Sequence, residues 1–203
     1  MEYLLLGFIT GLSLILAIGA QNIFVIEQGL KKQHIFLVCL VCSLSDLILI
    51  FLGIFLFHYF IQYFNSIIEL ILNILLIIFL LHFIYSKIKI YNSSIKLNDQ
   101  SQAISKLNIL LKTLGFTYLN PHVYSDTVFF LGNFSKNFLI NEKINFGLGA
   151  AIASFLFFFL IGYLSKYFSK FAENDKVWKI INTFIIIFMS LLTLFIILDT
   201  FIS

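Results

Sequence analysis

The sequence predicts an all-α integral membrane protein with six transmembrane helices, arranged as two inverted repeats of three helices. Hydrophobic residues make up 61% of the 203 residues, charged residues make up 11%, and the mean hydropathy is +1.03. Soluble domains are about 45–50% apolar and about 25% charged. Windows of about 20 apolar residues, long enough to cross roughly 30 Å of hydrocarbon, recur along the chain, and one long polar stretch divides them evenly.

The predicted helices follow from these windows in chain order. They run over Tyr3–Ile26, His34–Ile61, Ile67–Ser86, Thr113–Phe134, Ile144–Ser165 and Lys179–Ile202. The first window lacks a basic leader and exceeds the length of a signal-peptide core, so we interpret it as a span. Residues 1–86 then form the first repeat, 87–112 a lysine-rich cytoplasmic loop, and 113–203 the second repeat.

The lysines predict the orientation of the helices. Basic residues of short loops favour the cytoplasmic side of a membrane. All 13 basic residues are lysines, and eleven of them fall in the first, third and fifth loops: Lys31, Lys32, Lys87, Lys89, Lys96, Lys106, Lys112, Lys166, Lys170, Lys176 and Lys179. The opposite side has only Lys136 and Lys143. Both chain termini are therefore expected outside the cytoplasm.

Two short polar interruptions occupy matching positions of the halves. At an offset of 100 residues, Ala20-Gln21-Asn22 aligns with Asn120-Pro121-His122. Pro121, the only proline, removes a backbone donor and clashes with the preceding helical turn, and Gly19 loosens the first helix similarly. Broken helices in corresponding positions of two repeats are typical of transport sites.

Asp46 and Asp126 lie near the middle of the second and fourth predicted spans. A carboxylate at that depth costs roughly 2.5–3.5 kcal/mol on insertion scales and by default marks a substrate or ion path. The predicted spans place the two acids about four residues apart in depth, roughly 6 Å, a gap that helix tilt or the break at Pro121 would close. A cation bound between them would relieve their repulsion. The alternative is a packing role, with hydrogen bonds from hydroxyls such as those of Ser45 or Tyr124.

Other polar residues are candidates for substrate contact or, equally, for helix packing. The stronger ones lie at the breaks: Gln21, Asn22, Asn120 and His122. The weaker ones lie in the third helix or near span ends: Glu69, Asn73, His82 and His58.

Several function classes find no support in the sequence. A formal charge of +3 is too small and dispersed to suggest nucleic acid, and catalytic motifs such as H-E-x-x-H are missing, so we expect no enzyme. Two rivals to a small-molecule exporter stay open: an exporter of metal or other inorganic cations, and a membrane thiol carrier using Cys39 and Cys42. The C-x-x-C spacing is better explained by packing within an apolar helix.

These residues also carry a family resemblance that spans nearly the whole chain. The motif residues are Gly11-Leu12-Ser13-Leu14, Ala17-Ile18-Gly19-Ala20-Gln21-Asn22, Gln28-Gly29-Leu30, Val41-Cys42-Ser43-Leu44-Ser45-Asp46, Leu119-Asn120-Pro121-His122-Val123-Tyr124-Ser125-Asp126-Thr127, Leu131-Gly132, Trp178 and Ile181-Asn182. Together they closely resemble the LysE/ArgO family of basic amino-acid exporters.

The resemblance implies export of L-lysine or L-arginine across the cytoplasmic membrane of a bacterium, driven by an electrochemical gradient. The family's membrane aspartates map onto Asp46 and Asp126, and its polar turn residues onto Gln21, Asn22, Asn120 and Pro121. One departure concerns specificity: Glu27 precedes Gln28 at the predicted cytoplasmic mouth, where the family commonly has a basic residue. Arginine, lysine and other cationic substrates therefore stay open.

The membrane potential limits how export of a cation can be driven. A monocation leaving a cell that is negative inside works against about 2.3 kcal/mol per 100 mV. We therefore expect antiport with protons or another coupling cation. The sequence implies no cofactor and leaves the oligomeric state open, homo-oligomers included.

Overall fold

The computed structural model describes residues 1–16, 19–63, 66–92, 105–172 and 174–201, and all regular structure within them is helical. The helices are α1 (Glu2–Ile15), α2 (Ala20–Leu30), α3 (Ile35–Tyr63), α4 (Ser66–Asn92), α5 (Lys106–Tyr118), α6 (Pro121–Tyr124), a π-helix (Ser125–Phe130), α7 (Leu131–Phe134), α8 (Ile140–Tyr167), α9 (Ser169–Ala172) and α10 (Asp175–Phe201). The prediction of an all-α chain holds for these residues.

Four helices are long and apolar enough to cross a membrane, over Ile35–Phe57, Leu70–Ile88, Ile140–Tyr167 and Lys176–Phe201. The pair α1 and α2 qualifies as a fifth candidate, with an angle of 82° between its two helices. The predicted fourth span, Thr113–Phe134, is divided among α5, α6, the π-helix and α7. The structure thus supports a multi-pass membrane protein with four or five candidate spans.

Helix ends differ from the predicted span ends. α4 continues to Asn92 and α5 starts at Lys106, so the predicted 87–112 loop is helical at both ends; Lys96 lies outside the described residues. Lysine is a good helix former, and apolar windows detect the lipid-facing part of a helix rather than its last residue. The predicted span Tyr3–Ile26 is divided between α1, which ends at Ile15, and α2, which begins at Ala20, so the chain is interrupted next to Gly19.

Small residues bring α8 against α1. A Cβ atom on Gly7 would overlap the backbone of Phe146, and one on Gly149 would overlap that of Leu4. Small residues allow such close approach between membrane helices. α3 approaches the π-helix in the same way, because a Cβ on Gly53 would lie 2.6 Å from backbone atoms of Val128.

Two groups of buried apolar side chains fill the bundle. The larger group joins α2, α3, α4, α5, α8 and α10, and the smaller one consists of Ile50, Ile54, Leu131, Phe146 and Ala150. A cavity lies between them, since Phe158 and Ile196 of the larger group line it and so do Ile50 and Leu131 of the smaller group.

Candidate functional site

The first helix interruption is stabilised by Asn22. Its Nδ2 donates a hydrogen bond of 3.0 Å to the carbonyl of Ile15, the last residue of α1. Terminal helix carbonyls have no partner within the helix, and the asparagine supplies one. Gly19, the N-cap residue of α2, provides no side-chain cap for the amide groups that follow it.

The second interruption has a comparable arrangement. Asn120 is the N-cap residue of α6, and its Oδ1 accepts a hydrogen bond of 3.1 Å from the backbone N–H of His122. Pro121 follows in the first turn, where the missing amide hydrogen has no helical acceptor to lose. The Tyr124 hydroxyl donates to the carbonyl of Tyr118 at 2.8 Å. In both halves, a side chain beyond the break satisfies the end of the preceding helix.

A cavity of about 250 Å³ lies where the two interruptions meet. Its walls include all six residues that the sequence suggested for substrate contact: Gln21, Asn22, Asp46, Asn120, His122 and Asp126. Gly19 also lines it, together with apolar residues of α1, α3, α8 and α10. One water occupies about 30 Å³ in the liquid, so the space is sufficient for a small molecule with several polar groups.

Asp46 is almost completely buried on α3, with 3% of its surface exposed. Its Oδ2 accepts a hydrogen bond of 2.7 Å from the Ser154 hydroxyl on α8. A serine hydroxyl thus bonds to Asp46, as the packing alternative expected, but the donor is Ser154 on another helix rather than the neighbouring Ser45. The Tyr124 hydroxyl donates to the carbonyl of Tyr118. Ser154 had no motif of its own, so sequence patterns did not single it out.

Asp126 lies on the π-helix and is partly buried. Such π-helical turns are rare and frequently occur at functional sites. Thr127 stabilises the turn by donating from its Oγ1 to the carbonyl of Val123 at 2.5 Å. Asp126 interacts electrostatically with His122, the more exposed of the two. The site therefore combines a buried carboxylate on α3 with a more accessible one on the π-helix.

Gln21 is buried at the start of α2, and its Nε2 has no hydrogen-bond acceptor among the described residues. An unsatisfied buried amide costs about 1–3 kcal/mol. A ligand or water in the adjoining cavity would provide the acceptor.

Three predicted residues do not line this cavity. Pro121 is buried at the start of α6, and Glu27 and Gln28 lie further along α2 than the residues that line the cavity. Glu27 makes two ion pairs, with Lys31 and Lys87. Asn73 and His82 of α4 are also outside the cavity lining, and the side chains of Glu69 and His58 are outside the described part of the structure.

Cys39 and Cys42 are buried free thiols on α3. Cys39 Sγ lies 3.2 Å from the carbonyl oxygen of Phe158, which indicates a packed position against α8. Within the described residues, no three His, Cys, Asp or Glu side chains are grouped as metal ligands would be.

A helical membrane chain whose largely apolar cavity contains polar side chains from two interrupted helices has the construction of a transport protein. The comparison with known families identifies which kind: the model of the family described as LysE type translocator matches residues 12–200. The chain belongs to this LysE family, so the resemblance noted in its motifs is confirmed. No solved structure matches the chain.

Individual relatives are exporters or transporters by name. The chain is 35% identical over 133 residues to "Putative amino-acid transporter YggA" of Aeromonas hydrophila, covering 65% of this chain and 59% of that protein. It is 31% identical over 142 residues to "Arginine exporter protein ArgO" of Klebsiella pneumoniae, covering 70% and 67%. The match with "Arginine exporter protein ArgO" of Salmonella paratyphi A is 33% over 133 residues, covering 65% and 63%.

Proposed function

We propose that this protein exports a cationic amino acid, L-arginine or L-lysine, by antiport through the cavity between its two interrupted helices. One observation carries the proposal: Asp46 and Asp126, from different helices, line the same cavity. The names of the ArgO relatives, which describe arginine exporters, support this choice of substrate class.

The aspartates bind the cationic end of the substrate. Asp46 is buried on α3 and receives one hydrogen bond from Ser154, so a guanidinium or ammonium group would supply the counter-charge that a buried carboxylate requires. Asp126 faces the same space from the partly exposed π-helix.

The start of α2 binds the carboxylate of the substrate. Ala20, Gln21 and Asn22 line the cavity, and no side chain caps this helix terminus. Helix N-termini carry unsatisfied amide groups and a partial positive charge, which favour anions. The unpaired Nε2 of Gln21 adds a further donor. The two ends of an amino acid thus have complementary partners on different helices that line the cavity.

Six spans in two inverted repeats explain the packing. In this scheme α1 and α2 form the first span and α5 to α7 the fourth. The first span packs on α8, the second helix of the other repeat, while the fourth packs on α3. The third helices, α4 and α10, pack on each other. An axis that exchanges the halves reproduces this pattern.

The lysine-rich loops face the cytoplasm of a bacterium and both termini face outward, in keeping with the bias of basic residues. Export against the membrane potential requires coupling, since about 2.3 kcal/mol per 100 mV opposes a departing monocation. A proton or another cation entering through the same carboxylates provides the driving force.

The test is release of labelled arginine and lysine from preloaded cells. Cells that express the chain should release at least one of them faster than cells with an empty vector, and dissipating the proton gradient should slow that release. Equal release of both amino acids with and without the protein would contradict the proposal.

A further inference from the structure

Besides Asp46, the carboxylate of Glu27 is also buried; it lies on α2, outside the cavity lining. Glu27 is 1% exposed, and its Oε1 lies 2.5 Å from Nζ of Lys31 and 2.5 Å from Nζ of Lys87. Lys87 comes from α4 and is itself 5% exposed; its Nζ also donates to Oδ1 of Asn182 on α10 at 3.3 Å. One cluster therefore ties together α2, α4 and α10.

This cluster leaves part of the carboxylate unused. Both lysines share Oε1, whereas Oε2 is buried and has no hydrogen-bond donor in the described chain. Lys87 Nζ also lies 5.4 Å from the ring centre of Phe83. The free energy lost when ions are removed from water exceeds the attraction between them unless their remaining polar atoms also have hydrogen-bond partners. The arrangement suits a carboxylate that exchanges partners better than a permanent structural pair.

Aromatic side chains contact α2 at the turn between the cavity and the cluster. Along α2, Gln21 lines the cavity, Phe24 follows one turn later and Glu27 one turn beyond that. The Phe24 ring lies 4.8 Å from that of Phe116, which lies 5.1 Å from that of Phe83. Along α2, this group of aromatic rings therefore comes after Gln21 and before the ion pairs of Glu27.

We infer that Glu27 is a second cation-binding point on the transport path, occupied by Lys87 while the path is closed and by the cationic group of the substrate while it is open. The inference rests on the proposed function. Lys87 presents an alkylammonium group to Glu27, which is the same chemical group as the side chain of a lysine substrate. The ion pair between Glu27 and Lys87 therefore shows that this carboxylate can bind an alkylammonium group.

Opening of the path at the Glu27, Lys31 and Lys87 cluster is tested by the rate at which a cysteine placed in the cavity is labelled. Ala20→Cys is introduced together with Cys39→Ala and Cys42→Ala, and a small cationic thiol reagent is applied to inside-out membrane vesicles. Adding Lys87→Met should raise the labelling rate at least about tenfold, equivalent to about 1.4 kcal/mol. Lys170→Met, at an exposed position on α9, should leave it unchanged. Equal rates for all three proteins would overturn the inference.

Cation binding at Glu27 is tested by measuring the KM for transport of arginine and lysine added to the outside of the same inside-out vesicles. Lys87→Met leaves the carboxylate paired with Lys31 alone and so more available to substrate, and KM should fall. The double variant Glu27→Gln with Lys87→Met removes both charges and the binding point, so KM should rise above that of wild type. A structural role alone would move both variants in the same direction, and that result would overturn the inference.

The two proposals fail in different ways. Wild-type protein that moves neither amino acid refutes the proposed function. Normal wild-type transport combined with unchanged labelling, or with KM shifted in one direction by both variants, refutes only the role of Glu27.

Discussion

Ser154 donates a hydrogen bond of 2.7 Å to Asp46 and thereby joins the middle of α8 to the middle of α3. Both side chains are buried, at 0% and 3% exposure. The hydrogen bond restricts the orientation of a carboxylate that also lines the cavity. This contact connects the two helices on which the interrupted spans pack.

Ser154→Ala should lower efflux without preventing insertion. A hydrogen bond to a charged group contributes about 1.5–3 kcal/mol, so the rate should fall roughly tenfold or more. Ser190→Ala, at an exposed position on α10, is the matched control. Equal efflux by both variants would show that the serine does not position Asp46.

Asp46→Asn and Asp126→Asn should each abolish efflux of arginine and lysine. Each change keeps the shape of the side chain but removes the charge that we propose binds the cation. Both variants should insert normally, because removing an intramembrane charge lowers the cost of insertion. Asp199→Asn, exposed on α10, controls for general loss of negative charge. Wild-type rates in either cavity variant would contradict the aspartate site.

Pro121→Ala should reduce efflux at an unchanged amount of protein in the membrane. Alanine restores the missing amide and removes the steric clash of the ring, which favours a straight helix through Asn120. Tyr124→Phe is a companion change, because it removes the donor to the Tyr118 carbonyl at the same break. If Pro121→Ala exports at the wild-type rate, the interruption is not required for transport.

Gly149→Val should destabilise the protein by about 1–3 kcal/mol through overpacking, since even a Cβ there overlaps the backbone of Leu4. Gly19→Ala should affect stability much less, because no heavy atom beyond its two chain neighbours lies within 4 Å of an added Cβ among the described residues. Thermal unfolding of the purified proteins in detergent provides the comparison. Similar melting temperatures for the two variants would argue against close packing of α1 on α8.

Single cysteines should report the orientation of the chain. In a background without Cys39 and Cys42, an impermeant thiol reagent added to intact cells should label Lys136→Cys but neither Lys106→Cys nor Lys170→Cys. All three positions are exposed. Labelling of Lys106→Cys under these conditions would reverse the proposed topology.

Local patterns in the sequence pointed to much of the cavity. Asp46 and Asp126 stood out because charge in an apolar helix is costly, and Asn120-Pro121 stood out because proline cannot continue a helix. These are properties of single residues and their immediate neighbours. Helix ends were harder to predict from the sequence. α4 extends to Asn92 because helical geometry continues past the point where apolar residues stop.

The sequence by itself determined the helical membrane character of the chain, its family and the positions of its polar interruptions, because composition and short motifs act locally along the backbone. Only the tertiary structure decided that Ser154 meets Asp46 across 108 residues and that Lys87 meets Glu27. Those contacts depend on which helix faces approach one another. The approach is set by close packing at glycines such as Gly7 and Gly149, and no periodicity within one helix specifies its partner.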